Sequence, residues 1–313
     1  MEKISQSITL SIVIPLCNEE ESVLFLAKEL TRHLNGLNTT YEILFIDDGS
    51  RDATWEQITR ISQEYVFIKG ISLSRNFGHQ YALAAGLQFS SGEAVITMDG
   101  DLQHPPEVIK KLFEEWKSGY KIVQTRRLSH KKTSLFKRLT SKNFYKLFSF
   151  FSGVSINEGS SDFRLIDRQV LEVVLECNDV NFFLRGIIGW AGFPTTSVTY
   201  QEGPRRAGKT KYNIKKMLKF ASSAIISFSS IPIKLGIWIG IFTSLLAFIE
   251  LVYILFKYFQ GVTVPGWAST VGIISVLFGV QFILLGCIGA YIASIHECLK
   301  NRPKFIVNEK INL

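Results

Sequence analysis

Two uninterrupted apolar runs, Leu235–Phe256 and Ala268–Ile292, constrain this chain more than any other feature. The first holds one charge, Glu250, in 22 residues, and the second holds none. At about 1.5 Å of rise per helical residue, each run reaches across the ~30 Å hydrocarbon core of a bilayer. Core helices of soluble domains are rarely this long and this uniformly apolar. Both runs are therefore expected to cross a membrane, as helices over about 235–258 and 267–294. The connection Lys257–Trp267 is short, so the spans form a hairpin. Lys215, Lys216, Lys219 and Lys234 precede it, while Lys300, Arg302 and Lys304 follow it. Basic flanks stay on the cytoplasmic side, which puts both ends of the hairpin there. Tyr258 and Trp267 suit an aromatic belt, and Gly236, Gly240 and Ser244 form a small-residue stripe for close helix packing. Glu250 is costly inside a span. It either snorkels or pairs, and no chemistry is assigned to it.

The chain before the hairpin reads as a different kind of structure. Ile8–Pro15, Tyr41–Ile46, Phe67–Leu73 and the run ending in Val95-Ile96-Thr97-Met98 are apolar and rich in β-branched residues, as buried parallel strands are. The first of these is read as a strand and not as a signal peptide, because no cleavage-site pattern follows it. Helical stretches alternate with the strands, from about Asn18 to Leu34, Ala53 to Tyr65 and His79 to Phe89. A further helix, Lys110–Trp116, and a short strand, Tyr120–Thr125, follow. Such alternation calls for a mainly parallel α/β sheet with helices on both faces. Ligands of open α/β sheets sit at the carboxyl ends of the strands. Pro15–Glu20, Asp47–Ser50, Arg75–Gly78 and Asp99–Gln103 all fall at those ends and define one shared site. The first turn, Leu16-Cys17-Asn18-Glu19, lacks the GxGxxG of a dinucleotide fold, and no Walker P-loop is present.

Asp99-Gly100-Asp101 delivers two carboxylates to the end of a strand, with a glycine that lets both converge on one ligand. Two readings fit them. Hard oxygen donors suit Mg²⁺ or Mn²⁺ holding a substrate's phosphates. Alternatively, they form an acidic turn before a helix that Pro105-Pro106-Glu107 opens.

Basic stretches follow. Lys131–Phe151 interleaves Lys137, Arg138, Lys142 and Lys146 with apolar residues near helical spacing. This is either a core-facing helix with a solvated basic side or a helix lying in a membrane interface. Gly159–Arg168 then interrupts the helical material with small and charged residues, and Asp162 and Arg164 can form an ordinary surface ion pair. Glu202–Tyr212, which includes Arg205, Arg206, Lys209 and Lys211, is a glycine-containing basic loop suited to phosphates, to solvent or to lipid headgroups. Ile214, Met217, Leu218, Ala221 and Ile225 share one face of a juxtamembrane amphipathic helix. The expected division is a globular domain over 1–212, that helix over 213–232, the hairpin over 233–296 and a cytosolic tail over 297–313.

A net charge of +8 suits phosphates or an anionic membrane surface, and no nucleic-acid-binding motif accompanies it. Cys17, Cys177, Cys287 and Cys298 are scattered without a CxxC, as in a reducing, cytoplasmic compartment.

Taken in order, Val13-Ile14-Pro15 with Asn18-Glu19-Glu20, Asp47-Asp48-Gly49-Ser50, Ser74–Gly78, Asp99–Gln103 with Pro105-Pro106, Asp162-Phe163-Arg164 and Arg205–Tyr212 resemble the GT-A-fold inverting glycosyltransferases. More narrowly, they are similar to the polyprenyl-phosphate glycosyltransferases related to dolichyl-phosphate-mannose synthase, of the bacterial type with two C-terminal membrane helices. The resemblance implies a Rossmann-like GT-A domain, amphipathic interfacial helices and a two-helix transmembrane hairpin. It implies that Pro15, Glu19 and Asp47 line a nucleoside pocket, with Asp48 and Arg75 beside the donor. Asp99 and Asp101 would hold Mg²⁺ or Mn²⁺ on the nucleotide diphosphate, with Gln103 nearby. Arg205 and Lys211 would close over the donor phosphates, and Arg126, Arg138 and Ser161 would meet the lipid phosphate. Asp101, Asp162, Arg126 and Arg138 form the expected catalytic set. Ser161-Asp162-Phe163-Arg164 stands where the dolichyl enzymes carry Ser-Gly-Phe, a form that looks like the glucosyl branch.

The reaction so implied moves a hexose, glucose from UDP-glucose, to a membrane polyprenyl phosphate. It places the protein in a bacterial inner membrane, with catalytic domain and termini cytoplasmic, as a homo-oligomer (dimer or tetramer) that does not bind nucleic acid. Two other classes compete. A processive polysaccharide synthase would need more spans and a QxxRW-type motif, and neither is found. A non-catalytic scaffold or lipid-flipping partner should have lost acids, yet Asp47, Asp99 and Asp101 are present.

Overall fold

The computed structural model describes residues 8–101, 103–128, 160–177, 183–201, 231–261, 266–300 and 302–313. The expected interfacial helix over 131–151, most of the amphipathic helix over 213–232, and Arg138, Arg205 and Lys211 lie outside them.

The first unit is built on one sheet in the order β7-β5-β6-β4-β1-β2-β3-β8. Its central strands β1 (Leu10–Leu16), β2 (Tyr41–Asp47), β3 (Ile68–Leu73) and β4 (Ala94–Thr97) pair in parallel as their apolar sequences predict. Every residue of β1 is buried, because helices cover both faces of the sheet. Helices α1 (Glu20–Asn35), α2 (Thr54–Glu64), α3 (His79–Phe89) and α4 (Val108–Lys117) supply those layers. Leu26, Leu30, Ile58 and Leu112 pack with Ile12, Ile14 and Phe45 of the sheet in one core. Parallel strands β5 (Ile122–Arg127) and β7 (Thr195–Tyr200) extend the sheet on one side.

Two strands run against the others, and the sequence concealed both. β6 (Ser160–Asp167) lies antiparallel between β4 and β5. The segment expected to interrupt helical material is thus a central strand. Its charged residues conceal the alternation: Phe163 and Leu165 join the core, while Asp162 and Arg164 occupy the other face and are also buried. Helices α5 (Arg168–Glu176) and α6 (Leu184–Ala191) follow it. The second reversed strand is β8 (Val307–Ile311), which pairs with β3. Residues 302–313, within the span expected as a cytosolic tail, therefore belong to the same unit as the sheet. Trp55 Nε1 donates to Glu309 Oε2 at 3.0 Å, Asn312 Nδ2 donates to the carbonyls of Ser62 and Ile68, and Lys310 lies over the Phe89 ring. These contacts are made by a polar segment with no hydrophobic run to announce it.

The second unit holds two helices that, among the described residues, are long and apolar enough to cross a membrane, α7 (Ile231–Phe259) and α8 (Trp267–Leu299). Of the small-residue stripe, Gly236 meets Leu284 of α8, whose Cδ2 lies 3.0 Å from where a Cβ would stand, whereas Gly240 has open space there. Glu250 lines a groove between the helices with Thr243, Ala247, Gly272 and Val276.

Candidate active site

Chain order reverses at β1, whose neighbours are β2 and β4. The crevice beyond the carboxyl ends of β1 and β4 is therefore the candidate ligand site of this topology. The β1–α1 and β2–α2 connections lock together on one wall. Asn18, held at φ 55°, donates its N–H to Ser50 Oγ, and its Oδ1 accepts from Arg51 N–H, both at 2.9 Å. Ala53 N–H donates to Glu20 Oε2, and Glu19 N–H to Thr54 Oγ1. Asp47 is buried and accepts from Ser50 N–H at 3.1 Å and Ser72 Oγ at 3.4 Å. Pro15 pairs with Ile46 one rung away. Asp48 accepts the N–H groups of Phe77 and Gly78 at 2.7 and 3.0 Å, so its oxygens shape the β3–α3 loop. Gly49 sits at φ +63°, and a Cβ there would lie 2.4 Å from the Arg75 carbonyl carbon. Arg75 is exposed, with its guanidinium 4.1 Å from the centroid of the Phe77 ring.

The acid pair occupies the β4 side. Gly100 lets the turn press onto β1, since a Cβ there would meet Leu16 Cδ2 at 2.2 Å. Asp101 Oδ1 accepts from Gln103 N–H at 3.2 Å, a local turn bond. Asp99 Oδ1 is shielded from solvent and has no hydrogen-bond partner among the described residues; His79 Nε2 lies 3.4 Å away. A shielded carboxylate oxygen without a donor is suited to a cation. The donors are hard oxygens, which fits Mg²⁺ or Mn²⁺. No group of three or more His, Cys, Asp or Glu closes a metal site among the described residues. Phosphate oxygens and water would then complete the coordination, as is usual for Mg²⁺.

Because β6 runs backwards, its beginning arrives at the carboxyl edge of the parallel strands, with Thr97 opposite Arg164 and Arg126 opposite Ser160. This reversal brings Ser161 and Asp162 to the same crevice as Asp99. Asp162 is a hub of cations. Arg185 of α6 clamps it through Nε–Oδ1 and Nη2–Oδ2, both 2.8 Å, and Arg164 Nη2 reaches Oδ1 at 3.1 Å. His79 Nε2 lies 3.6 Å from Oδ2. Burial pushes the Asp162 pKa up, but His79, Arg185 and Arg164 together hold it well below the ordinary range. The carboxylate therefore stays charged and is a poor proton acceptor. Arg164, fully buried, falls to about 10 through desolvation opposed by Asp162. Partial desolvation lowers the His79 pKa, yet the carboxylates of Asp162 and Asp99 raise it overall.

His104 completes the floor. It is buried, stacked on Phe163 with centroids 4.9 Å apart, and joins Asp99 to Ser161. Pro15, Glu19, Asp47, Asp48, Arg75, Asp99, Asp101, Gln103, Arg126, Ser161 and Asp162 thus all fall along one edge of the sheet. Arg126 is the penultimate residue of β5 and is exposed. Sequence reasoning missed His79, His104 and Arg185. His104 adjoins the acid motif and opens the Pro105-Pro106 step, a usable signal. Arg185 lies in an apolar helix with nothing in the sequence to tie it to Asp162.

The model of Glycosyl transferase family 2 matches residues 11–175. Over 310 residues the chain is 38% identical to the Uncharacterized glycosyltransferase YkcC of Bacillus subtilis (strain 168), covering 99% of this chain and 96% of that one. It is 37% identical over 301 residues to the SfII prophage-derived bactoprenol glucosyl transferase of Shigella flexneri, covering 96% and 97%. The crystal structure of glucosyl-3-phosphoglycerate synthase from Mycobacterium tuberculosis aligns with a TM-score of 0.46 and 16% identity over 70% of this chain and 78% of that one. The family match runs from β1 through β6 and into α5, the strands that carry the acid pair and the Asp162 cluster. The chain belongs to glycosyl transferase family 2.

Proposed function

We propose that this glycosyltransferase moves glucose from UDP-glucose to a membrane polyprenyl phosphate, with inversion at the anomeric carbon and on the cytoplasmic leaflet. The observation that carries the reading is the union, in one chain, of an acid pair at the β1/β4 crevice with two helices fit to span a membrane. The bactoprenol glucosyl transferase named above, similar over nearly its whole length, supports glucose and the lipid acceptor. The lysines before the first span and the basic residues after the second support a cytoplasmic active site.

Asp99 and Asp101 would hold the divalent cation, which when bound neutralises charge on the departing diphosphate. Pro15, Glu19 and Asp47 line the wall available to the nucleoside. The acceptor is a phosphate monoester whose second pKa is about 6, so near neutrality it is largely dianionic. Its oxygen attacks the anomeric carbon as the bond from that carbon to the diphosphate oxygen breaks, and UDP leaves. No strong general base is needed. This agrees with Asp162 being clamped by two guanidiniums and unfit to take a proton. Asp162 is then a positioning residue, not a catalytic one. Arg126 near the end of β5, paired with Ser160 next to Ser161, suits the acceptor phosphate, and Arg138, Arg205 and Lys211 are assigned to phosphates on the resemblance alone.

The test is to incubate membranes containing the protein with labelled UDP-glucose and separate the products. Label in a mild-acid-labile lipid supports the reading. Label in polymer, or in neither fraction, would sink it. A donor-competition panel on the purified enzyme decides between UDP-glucose and other nucleotide sugars.

A further inference from the structure

One buried ring joins the turn after β4 to the start of β6. Asp99 donates its backbone N–H to His104 Nδ1 at 3.0 Å. That bond leaves Nδ1 without a proton, so in the neutral ring the proton sits on Nε2. Nε2 lies 2.8 Å from Ser161 Oγ and therefore donates to it. Ser161 Oγ accepts a second time, from Phe163 N–H at 3.2 Å. A hydroxyl has two acceptor sites and one proton to give. Both acceptor sites are filled from below, and no acceptor for the proton is found among the described residues.

We propose that His104 is a positioning residue that turns Ser161 into an obligate hydrogen-bond donor toward the acceptor phosphate, while the same ring holds the backbone of Asp99 on the donor side. This rests on the assignment of Ser161 to the acceptor given above. A hydroxyl whose lone pairs are occupied can meet only an acceptor atom. It suits an unprotonated phosphate oxygen and offers no acceptor for the proton that an alcohol nucleophile must lose. The selectivity for a phosphate monoester over a hydroxyl acceptor is thereby built into the protein's own hydrogen-bond polarity.

The two ends of the ring can be separated by substitution. In His104→Asn the amide oxygen stands near the Nδ1 position and keeps the Asp99 contact, but nothing reaches Ser161. In His104→Gln the amide NH₂ stands near the Nε2 position and keeps the Ser161 contact, but the acceptor for Asp99 is lost. KM for polyprenyl phosphate in detergent micelles and KM for the nucleotide sugar are measured for both variants, for Ser161→Ala and for His104→Asn with Ser161→Ala. Ser161→Ala is expected to raise the acceptor KM about tenfold, the loss of one hydrogen bond to a charged group. His104→Asn should raise it by a similar factor with little change in donor KM, and the double variant should add nothing further. His104→Gln should keep the acceptor KM and raise the donor KM instead. A wild-type donor KM certifies that His104→Asn and Ser161→Ala are folded. A general loss of packing would move both constants together in both His104 variants, and that result overturns the proposal. So does independent, multiplying behaviour of His104→Asn and Ser161→Ala. If Ser161→Ala raises the acceptor KM while His104→Asn does not, the role of His104 fails alone. If Ser161→Ala leaves the acceptor KM unchanged, the placement of the acceptor at Ser161 fails with it.

Discussion

Arg185 holds Asp162 in a bidentate clamp, with Nε and Nη2 each 2.8 Å from a different carboxylate oxygen. The pair joins α6 to β6, and Arg164 shares Oδ1 from the same strand. Removing one partner of a buried ion pair leaves the other charge uncompensated.

Asp162→Asn should therefore destabilise the sheet domain by about 3–5 kcal/mol, the usual cost of breaking a buried pair. The pH dependence has a definite sign. The native Asp162 pKa is depressed, so its contribution is complete above the unfolded value of about 3.9 and fades as pH falls through the lower native value. Denaturant unfolding of both proteins should show a stability gap that widens from pH 7 to about pH 5, as His79 gains its proton beside Asp162, and that narrows only below about pH 4. A gap that closes between pH 7 and 5 would contradict the assigned charge state.

Gly49→Ala tests the seam between the β2 and β3 connections. Gly49 has φ +63°, and the new methyl would press on the backbone of Arg75 and Asn76. Left-handed backbone alone costs a residue with a side chain about 1–2 kcal/mol, before that contact is relieved. Thermal unfolding should fall by several degrees, and KM for the nucleotide sugar should rise because Asp47 and Arg75 flank the seam. An unchanged melting temperature would mean that the loop relaxes freely.

Deleting residues 307–313 tests the returning strand. β3 would lose its antiparallel partner, and Trp55 its bond to Glu309. Amide exchange should quicken in Ile68–Leu73 while the central strand β1 stays protected. Wild-type protection throughout β3 would show that β8 adds no stability there.

The fold was legible where apolar runs and periodicity carry it. Strands β1 to β5, helices α1 to α4 and both spanning helices follow from continuous apolar runs or helical spacing. The acid pair and the motifs at the ends of β1, β2 and β3 were legible because parallel topology forces them to one edge. β6 was not, since its Asp162 and Arg164 satisfy each other only once the strand is buried, and charge in a short segment reads as loop. β8 was not, because its pairing partner lies more than two hundred residues away and its residues are polar. His104 and Arg185 act through contacts 57 and 23 residues distant, which local spacing does not encode.

The central claim, that Asp99 and Asp101 ground a metal-dependent transfer to a lipid phosphate, is tested most directly by following label from UDP-glucose into polyprenyl phosphate. The purified wild type and Asp101→Ala are compared, each with Mg²⁺ or Mn²⁺ and with a chelator. The wild type should form a mild-acid-labile glucolipid with metal and none with chelator. Asp101→Ala, inserted normally in membranes, should fall by at least about 100-fold, the scale of losing charge stabilisation on the leaving group. Turnover like the wild type's in Asp101→Ala, or transfer that the chelator leaves untouched, would contradict the account.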